Sequence, residues 1–250
     1  MRWPALMLAV LLVAWETAIR LLQVPEFIMP APSRIFASFL PGPIPIYRHM
    51  WVTLSEIALG FAGATLLGVA LAMAITLWRP FEEAIYPVLV ASQAVPKLAV
   101  APLFVIWMGF GMDTKVVIAV LIAFFPVVID TVAGLRSAPI EMIYLARTMG
   151  AGRWQLFRHF ILPHALPHLF SGLKVAVTLA VSGAVVAEFV GADRGLGYLI
   201  MVAAGKMQTE LVFAAVVLLA AIGIGLFYLI MLAERLALPW HVSFRARRSD

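Results

Sequence analysis

The chain has 250 residues, 64% of them hydrophobic and 12% charged, with a formal net charge of +5 and a mean hydropathy of +1.02. That is too apolar for a soluble domain of this length, so the basic excess reads as a determinant of membrane topology and not of nucleic-acid binding. Cysteine is absent, which excludes a disulfide framework and any thiolate metal or redox centre.

A membrane-spanning helix needs about 20 mostly apolar residues. Six stretches qualify: 4–22, 51–78, 86–110, 115–135, 165–190 and 211–234. The expected fold is therefore all-α, a single polytopic membrane domain over residues 1–250. Arg2 followed by Leu6 to Val13 imitates a secretory leader, but no small-x-small cleavage site follows within the usual ~15–30 residues. The segment continues to Leu22 and is expected to span. Between the first two spans, Pro25, Pro30, Pro32, Pro41, Pro43 and Pro45 predict an irregular segment with one short helix around Ser33 to Phe39. The third span contains Pro87, Pro96 and Pro102; each removes a backbone donor, so this helix is expected to kink or break. Gly195, Gly197 and Gly205 mark a stretch from Gly191 to Glu210 that is expected to fold back toward the bilayer.

Placing both termini inside puts Arg2, Arg79, Arg136, Arg147, Arg153, Arg158, Arg235, Arg245, Arg247 and Arg248 in the cytoplasm. Arg34, Arg48, Lys115, Arg194 and Lys206 are then outside. The bias predicts cytoplasmic termini and a cytoplasmic loop within residues 136–164.

That loop is the most distinctive part of the chain. Gly150-Ala151-Gly152 breaks the backbone, an amphipathic helix follows, and the loop ends in Leu162-Pro163. Trp154, Phe157 and Ile161 share one face, and Arg153, Gln155, Arg158 and His159 the others. A rigid, exposed helix between two spans is built to dock a soluble partner. The spacing from Leu145 to Pro163 (LARTMGAGRWQLFRHFILP) resembles the cytoplasmic EAA loop of permease subunits of ATP-binding-cassette (ABC) importers. Ala146, Gly150 and Leu162-Pro163 match that pattern. Tyr144 stands where the family has glutamate, with Glu141 one turn earlier, and Phe160 where it has isoleucine. Pro96-Lys97-Leu98-Ala99, Trp107-Met108-Gly109-Phe110-Gly111, Ala187-Glu188-Phe189, Gly195-Leu196-Gly197-Tyr198 and Pro239-Trp240-His241 resemble the branch serving nitrate, sulfonate, taurine and pyrimidine-precursor uptake.

The resemblance implies a type I importer permease fold in the bacterial inner membrane. It implies a homodimer, two ATPase subunits, and an extracytoplasmic substrate-binding protein that meets Pro30–Pro45 and Ala192–Gly205. ATPase coupling would fall to Tyr144, Leu145, Ala146, Gly150, Ala151, Trp154, Phe157, Leu162 and Pro163. The chain has no G-x-x-x-x-G-K-[ST] phosphate loop, so ATP and magnesium are expected on the partner ATPase and no cofactor on this chain.

Polar residues within apolar spans are costly and face protein or water. Ser171, Lys174, Thr178, Ser182 and Glu188 fall within about a third of one helix circumference. That stripe either lines a translocation pathway or packs helices. Gln93 and Lys97 flank the expected break in the third span and are candidates for cargo contact, gating or structural pairing. Glu56, Gly60, Ala64, Gly68 and Ala72 recur every four residues; Gly60 to Ala72 read as close helix packing, and Glu56 as pathway-facing or paired. Glu16 has no evident partner. His159, His164 and His168 lie where the loop re-enters the membrane, with no carboxylate at ligand spacing, and no metal site is expected.

The function expected is that of a transport subunit without its own catalytic residues. Its cargo is a small organic anion of sulfonate, taurine or nitrate type, or a vitamin or pyrimidine precursor. The alternatives are a stand-alone secondary transporter or channel, and an intramembrane enzyme, for which Asp130, Ser182 and Glu188 lack a histidine at matching depth.

Overall fold

A computed structural model describes residues 2–39 and 46–240. Pro41, Pro43 and Pro45 of the proline-rich segment, His241 of the C-terminal motif, and Arg245, Arg247 and Arg248 lie outside the described residues. Among the described residues every regular element is a helix, in the order α1 (Arg2–Leu21), α2 (Pro32–Ala37), α3 (Ile46–Leu77), α4 (Arg79–Ser92), α5 (Lys97–Met108), α6 (Met112–Leu135), α7 (Ile140–Thr148), α8 (Arg153–Leu156), α9 (Leu162–Gly191), α10 (Leu196–Gly205) and α11 (Thr209–Ala237).

Four of these segments are long and apolar enough to cross a membrane: α3, α6, α8 through α9, and α11. A fifth span results if α4 and α5 count as one. The 20-residue α1 coincides with the first predicted stretch. The third predicted span does break, but not at Pro87 or Pro102, which sit inside α4 and α5. It bends by 99° between Ser92 and Lys97, where Pro96 offers no amide and favours an extended residue before it.

The core forms where α6 lies between α3 and α9, and small residues set the spacing. A Cβ on Gly60 would stand 2.5 Å from Ala119 Cβ, one on Gly68 2.8 Å from Val127, and one on Gly183 2.9 Å from Ala119 Cα. Without side chains there, the backbones approach and dispersion contacts replace lipid. The four-residue repeat on α3 is thus a packing seam. Ile57, Ala64, Ala123, Val127, Ala176, Ala180 and Ala184 fill its centre.

The stretch after Gly191 folds back as expected. Helix α10 buries Leu196, Leu199 and Ala203 against Ile35, Ile46, Leu211, Ala214 and Ala215. Glu16, unexplained by the sequence, accepts hydrogen bonds from Ser33 N at 3.0 Å and Ser33 Oγ at 2.8 Å, and from Arg20 Nε at 2.8 Å. It thereby satisfies an orphan amide in the first turn of α2 from a neighbouring helix.

Candidate functional site

Two clusters of the residues singled out in the sequence stand one at each end of the α3–α6–α9 core. At the loop end, α7 stops in a glycine-terminated cap. Gly150 adopts φ +84°, and Ala151 N donates to Ala146 O at 3.0 Å across it, the bonding of a Schellman motif. Gln155 Oε1 then accepts from Gly152 N at 2.9 Å, which opens the next helix. The chain turns sharply and presents α7 as a projecting knuckle. Ala146 is its buried foot at 4% exposure, while Tyr144, Leu145, Met149 and Trp154 are 59%, 62%, 80% and 68% exposed.

The knuckle is rigidly footed. Arg136 forms an ion pair with Glu82 at the start of α4 and lies 5.8 Å from the centroid of the Tyr86 ring. Ser137 Oγ donates to His164 O at 3.2 Å. A Cβ on Gly134 would meet Ala165 O at 2.7 Å, so α6 and α9 touch directly below the loop. Trp154 stacks on Phe157 with centroids 5.9 Å apart; Phe157 is half-buried and Ala151 is partly covered.

The chain passes Leu162 and Pro163 without a break in the helix. Arg153 to Gly191 runs as one helical segment of 39 residues, about 58 Å long. A π-helical turn at Phe157–Ile161 precedes Pro163, and Leu162 N donates to Phe157 O five residues back. Widening the turn accommodates the amide that Pro163 lacks. The segment exceeds the ~30 Å of a hydrocarbon core, so it is longer than one straight crossing requires. His159 Nδ1 and His164 Nδ1 bond the Gln155 and Phe160 carbonyls at 3.1 and 2.7 Å, a local backbone role.

At the far end, Glu188 is buried at 2% exposure. Its Oε1 accepts from Thr53 Oγ1 at 2.6 Å, and its Oε2 from Gly197 N and, at 3.3 Å, Tyr198 N. Thr53 Oγ1 also accepts from Leu196 N at 2.7 Å, and His49 Nδ1 from Gly195 N at 3.1 Å. The orphan amides of α10 are therefore capped by side chains of α3 and α9. Gly195, at φ +123°, and Gly197 are required: a Cβ on the first would collide with the Glu188 carboxyl, and one on the second would lie 2.8 Å from it. Next to this cap, Glu56 pairs with Lys115 of α6, both buried. A cavity of about 740 Å³ opens beside them, bordered by Phe110, Lys115, Glu188, Asp193 and Tyr198.

The five-residue stripe on α9 does not stay together. Ser171, Thr178 and Ser182 are exposed, and the last two border a groove of about 810 Å³ shared with Val216, Gly223 and Tyr228 of α11. Lys174 Nζ instead pairs with Glu234 Oε2 of α11 at 3.0 Å. Glu188 stands about 100° round the helix from Ser171, enough to turn it from the open face into the core. Gln93 is exposed at the α4–α5 break, and Lys97 Nζ sits 3.9 Å above the Phe125 ring, not on an acid. Thr53, His49 and Glu234 carry no motif that marks them in the sequence, and Lys115 reads there only as an external charge. Glu56, Lys115 and Glu234, as charges in or next to apolar spans, were the available signal for pairing.

The family model described as binding-protein-dependent transport system inner membrane component matches residues 64–238. The chain is 42% identical to the riboflavin transport system permease protein RibX of Chloroflexus aurantiacus over 96% of its length and 92% of that protein's. It is 37% identical to the formylaminopyrimidine transport permease protein ThiX of Halalkalibacterium halodurans, over 95% of each. It is 32% identical to the taurine transport system permease protein TauC of Escherichia coli, over 94% and 88%. A solved inward-facing structure of the MetNI methionine ABC transporter shares the fold, with a TM-score of 0.61 and 22% identity over 77% of this chain and 94% of the matched one. The chain belongs to the binding-protein-dependent transport system inner membrane components, as a multi-pass permease of the ABC importer type.

Proposed function

We propose that this chain forms, with a second copy of itself, the translocation pathway of an importer whose ATP hydrolysis is supplied by two separate ATPase subunits docked on α7. The observation that carries this reading is the knuckle itself. A membrane protein has no reason to hold Tyr144, Leu145 and Met149 out beyond its spans on a glycine-capped helix unless another surface covers them. In this reading both termini and the knuckle are cytoplasmic, and a substrate-binding protein meets the opposite face. Residues 1–250 act as one domain, with 136–164 as the coupling loop.

The cargo we infer is a heterocyclic vitamin or vitamin precursor. Support comes from two of the relatives above, which carry riboflavin and formylaminopyrimidine in their names and share more identity with this chain than the taurine permease does. A sulfonate-type anion is the second reading, favoured by the Lys97 cation, which rests on an aromatic ring, and by the taurine permease relative.

The test is co-purification with the neighbouring ATPase from native membrane, followed by vesicle uptake of riboflavin, an aminopyrimidine and taurine. Recovery of two copies of each chain, lost in Leu145→Asp, is the expected result. Uptake that persists without any ATPase would instead establish a stand-alone transporter.

A further inference from the structure

The break between α4 and α5 lies level with the middle of α6. Lys97 rests on the ring of Phe125, which is midway along α6 (Met112–Leu135). Below it, Leu89 of α4 packs with Val128 and Val132; above it, Ala101 of α5 packs with Ile118 and Ala187. Gln93, Ala94, Val95 and Pro96 are nonetheless all exposed. The amides of residues 93–95 fold onto Val90, Ala91 and Ser92 carbonyls at 3.1–3.2 Å, but among the described residues no backbone donor reaches the carbonyls of Gln93, Ala94 or Val95. Open carbonyls cost several kcal/mol each in hydrocarbon, so lipid does not cover this face. Among the described residues Lys97 also makes no ion pair, and an ammonium at that depth needs water or an electron-rich partner.

We propose that the Gln93–Pro96 break is the mid-membrane station of the pathway, and that Lys97 there offers its ammonium to an acceptor oxygen or nitrogen of the passing cargo. This rests on the importer reading above. The Phe125 ring holds the ammonium by cation–π attraction while the station is empty, an interaction of modest strength that an acceptor atom on the cargo displaces. A planar heterocycle with ring carbonyls and a sulfonate both present such acceptors, so Lys97 serves either cargo, with the stronger attraction for the anion.

The chain contains no cysteine, so Gln93→Cys and Val95→Cys are single reporters in an otherwise unreactive protein. In vesicles holding the complete importer and turning over ATP, a charged, membrane-impermeant thiol reagent is expected to label both. It is expected to miss Leu66→Cys on the exposed face of α3. Cargo loaded on its binding protein slows the labelling. Lys97→Met lowers uptake about tenfold, the scale of one lost charge-assisted hydrogen bond, with Val95→Cys labelling and complex assembly intact; Lys97→Arg keeps most of the uptake. Absence of labelling at both positions, the result if a second copy seals the break, overturns the station. Unchanged uptake in Lys97→Met overturns the role of the lysine. If the unmodified importer carries none of the cargoes while Val95→Cys still labels, the cargo reading fails and the water-filled break stands.

Discussion

Thr53 Oγ1 donates to Glu188 Oε1 at 2.6 Å, joining residues 135 apart in sequence and closing the cap that holds α10 against α3 and α9. Both side chains are buried, so the bond is made where water does not compete. Thr53→Val keeps the shape but leaves a carboxylate oxygen and the Leu196 amide without this partner. The expected cost is about 1–3 kcal/mol, read as a lower melting temperature of the detergent-purified protein.

Gly195 and Gly205 bracket α10 and should respond oppositely to alanine. At Gly195 the left-handed backbone and the Glu188 carboxyl both oppose a Cβ, so Gly195→Ala is expected to cost about 3 kcal/mol or more. At Gly205 nothing lies within 4 Å, and Gly205→Ala is expected to be neutral or to stabilise by up to about 1 kcal/mol. Thermal melting of the two variants side by side checks both signs.

The Lys174–Glu234 pair ties α9 to α11 with both side chains largely covered. Removing one partner leaves an uncompensated charge; replacing both with apolar groups does not. Lys174→Met alone is therefore expected to destabilise more than the double variant Lys174→Met with Glu234→Met. A double-mutant cycle on melting temperature and expression level measures the coupling.

Gly150 needs its backbone conformation and not its small size, since a Cβ added there would meet nothing within 4 Å and φ is +84°. Gly150→Asn is expected to be tolerated, because asparagine visits the left-handed region readily. Gly150→Val is expected to disorder the cap and reduce ATPase capture by about five- to thirtyfold, the equivalent of its roughly 1–2 kcal/mol of local strain. A pull-down titration with the isolated ATPase separates the two.

Gly60 lies against Ala119 with no room for a methyl. Gly60→Ala is expected to overpack the α3–α6 seam by about 1–3 kcal/mol, whereas Gly225→Ala, with open space around it, is expected to leave the fold unaffected. Protease resistance in mild detergent distinguishes them.

Much of this architecture is legible in one dimension. Hydropathy locates α3, α6, α9 and α11 because insertion in a membrane selects on runs of about 20 residues, a local property. The four-residue glycine–alanine repeat announced the seam on α3, and the proline content announced the broken span. The Gly150-Ala151-Gly152 break marked the sharp turn after α7, because a helix cap is written in adjacent residues, and the helix before it was implied by the resemblance to the EAA loop. Local reasoning misled where a proline has more than one structural outcome: Pro87 and Pro102 sit inside α4 and α5, while Pro96 marks a bend of 99°.

The class, the order of spans and the glycine-capped loop are thus set by neighbours along the chain and can be read there. Which polar groups meet is a property of the folded bundle: Glu16 with Ser33, Glu56 with Lys115, Lys174 with Glu234, Glu188 with Thr53. The last three join residues 59, 60 and 135 positions apart. Such pairings depend on how far each helix is rotated and at what depth it crosses its neighbour, and close packing of the whole bundle sets both.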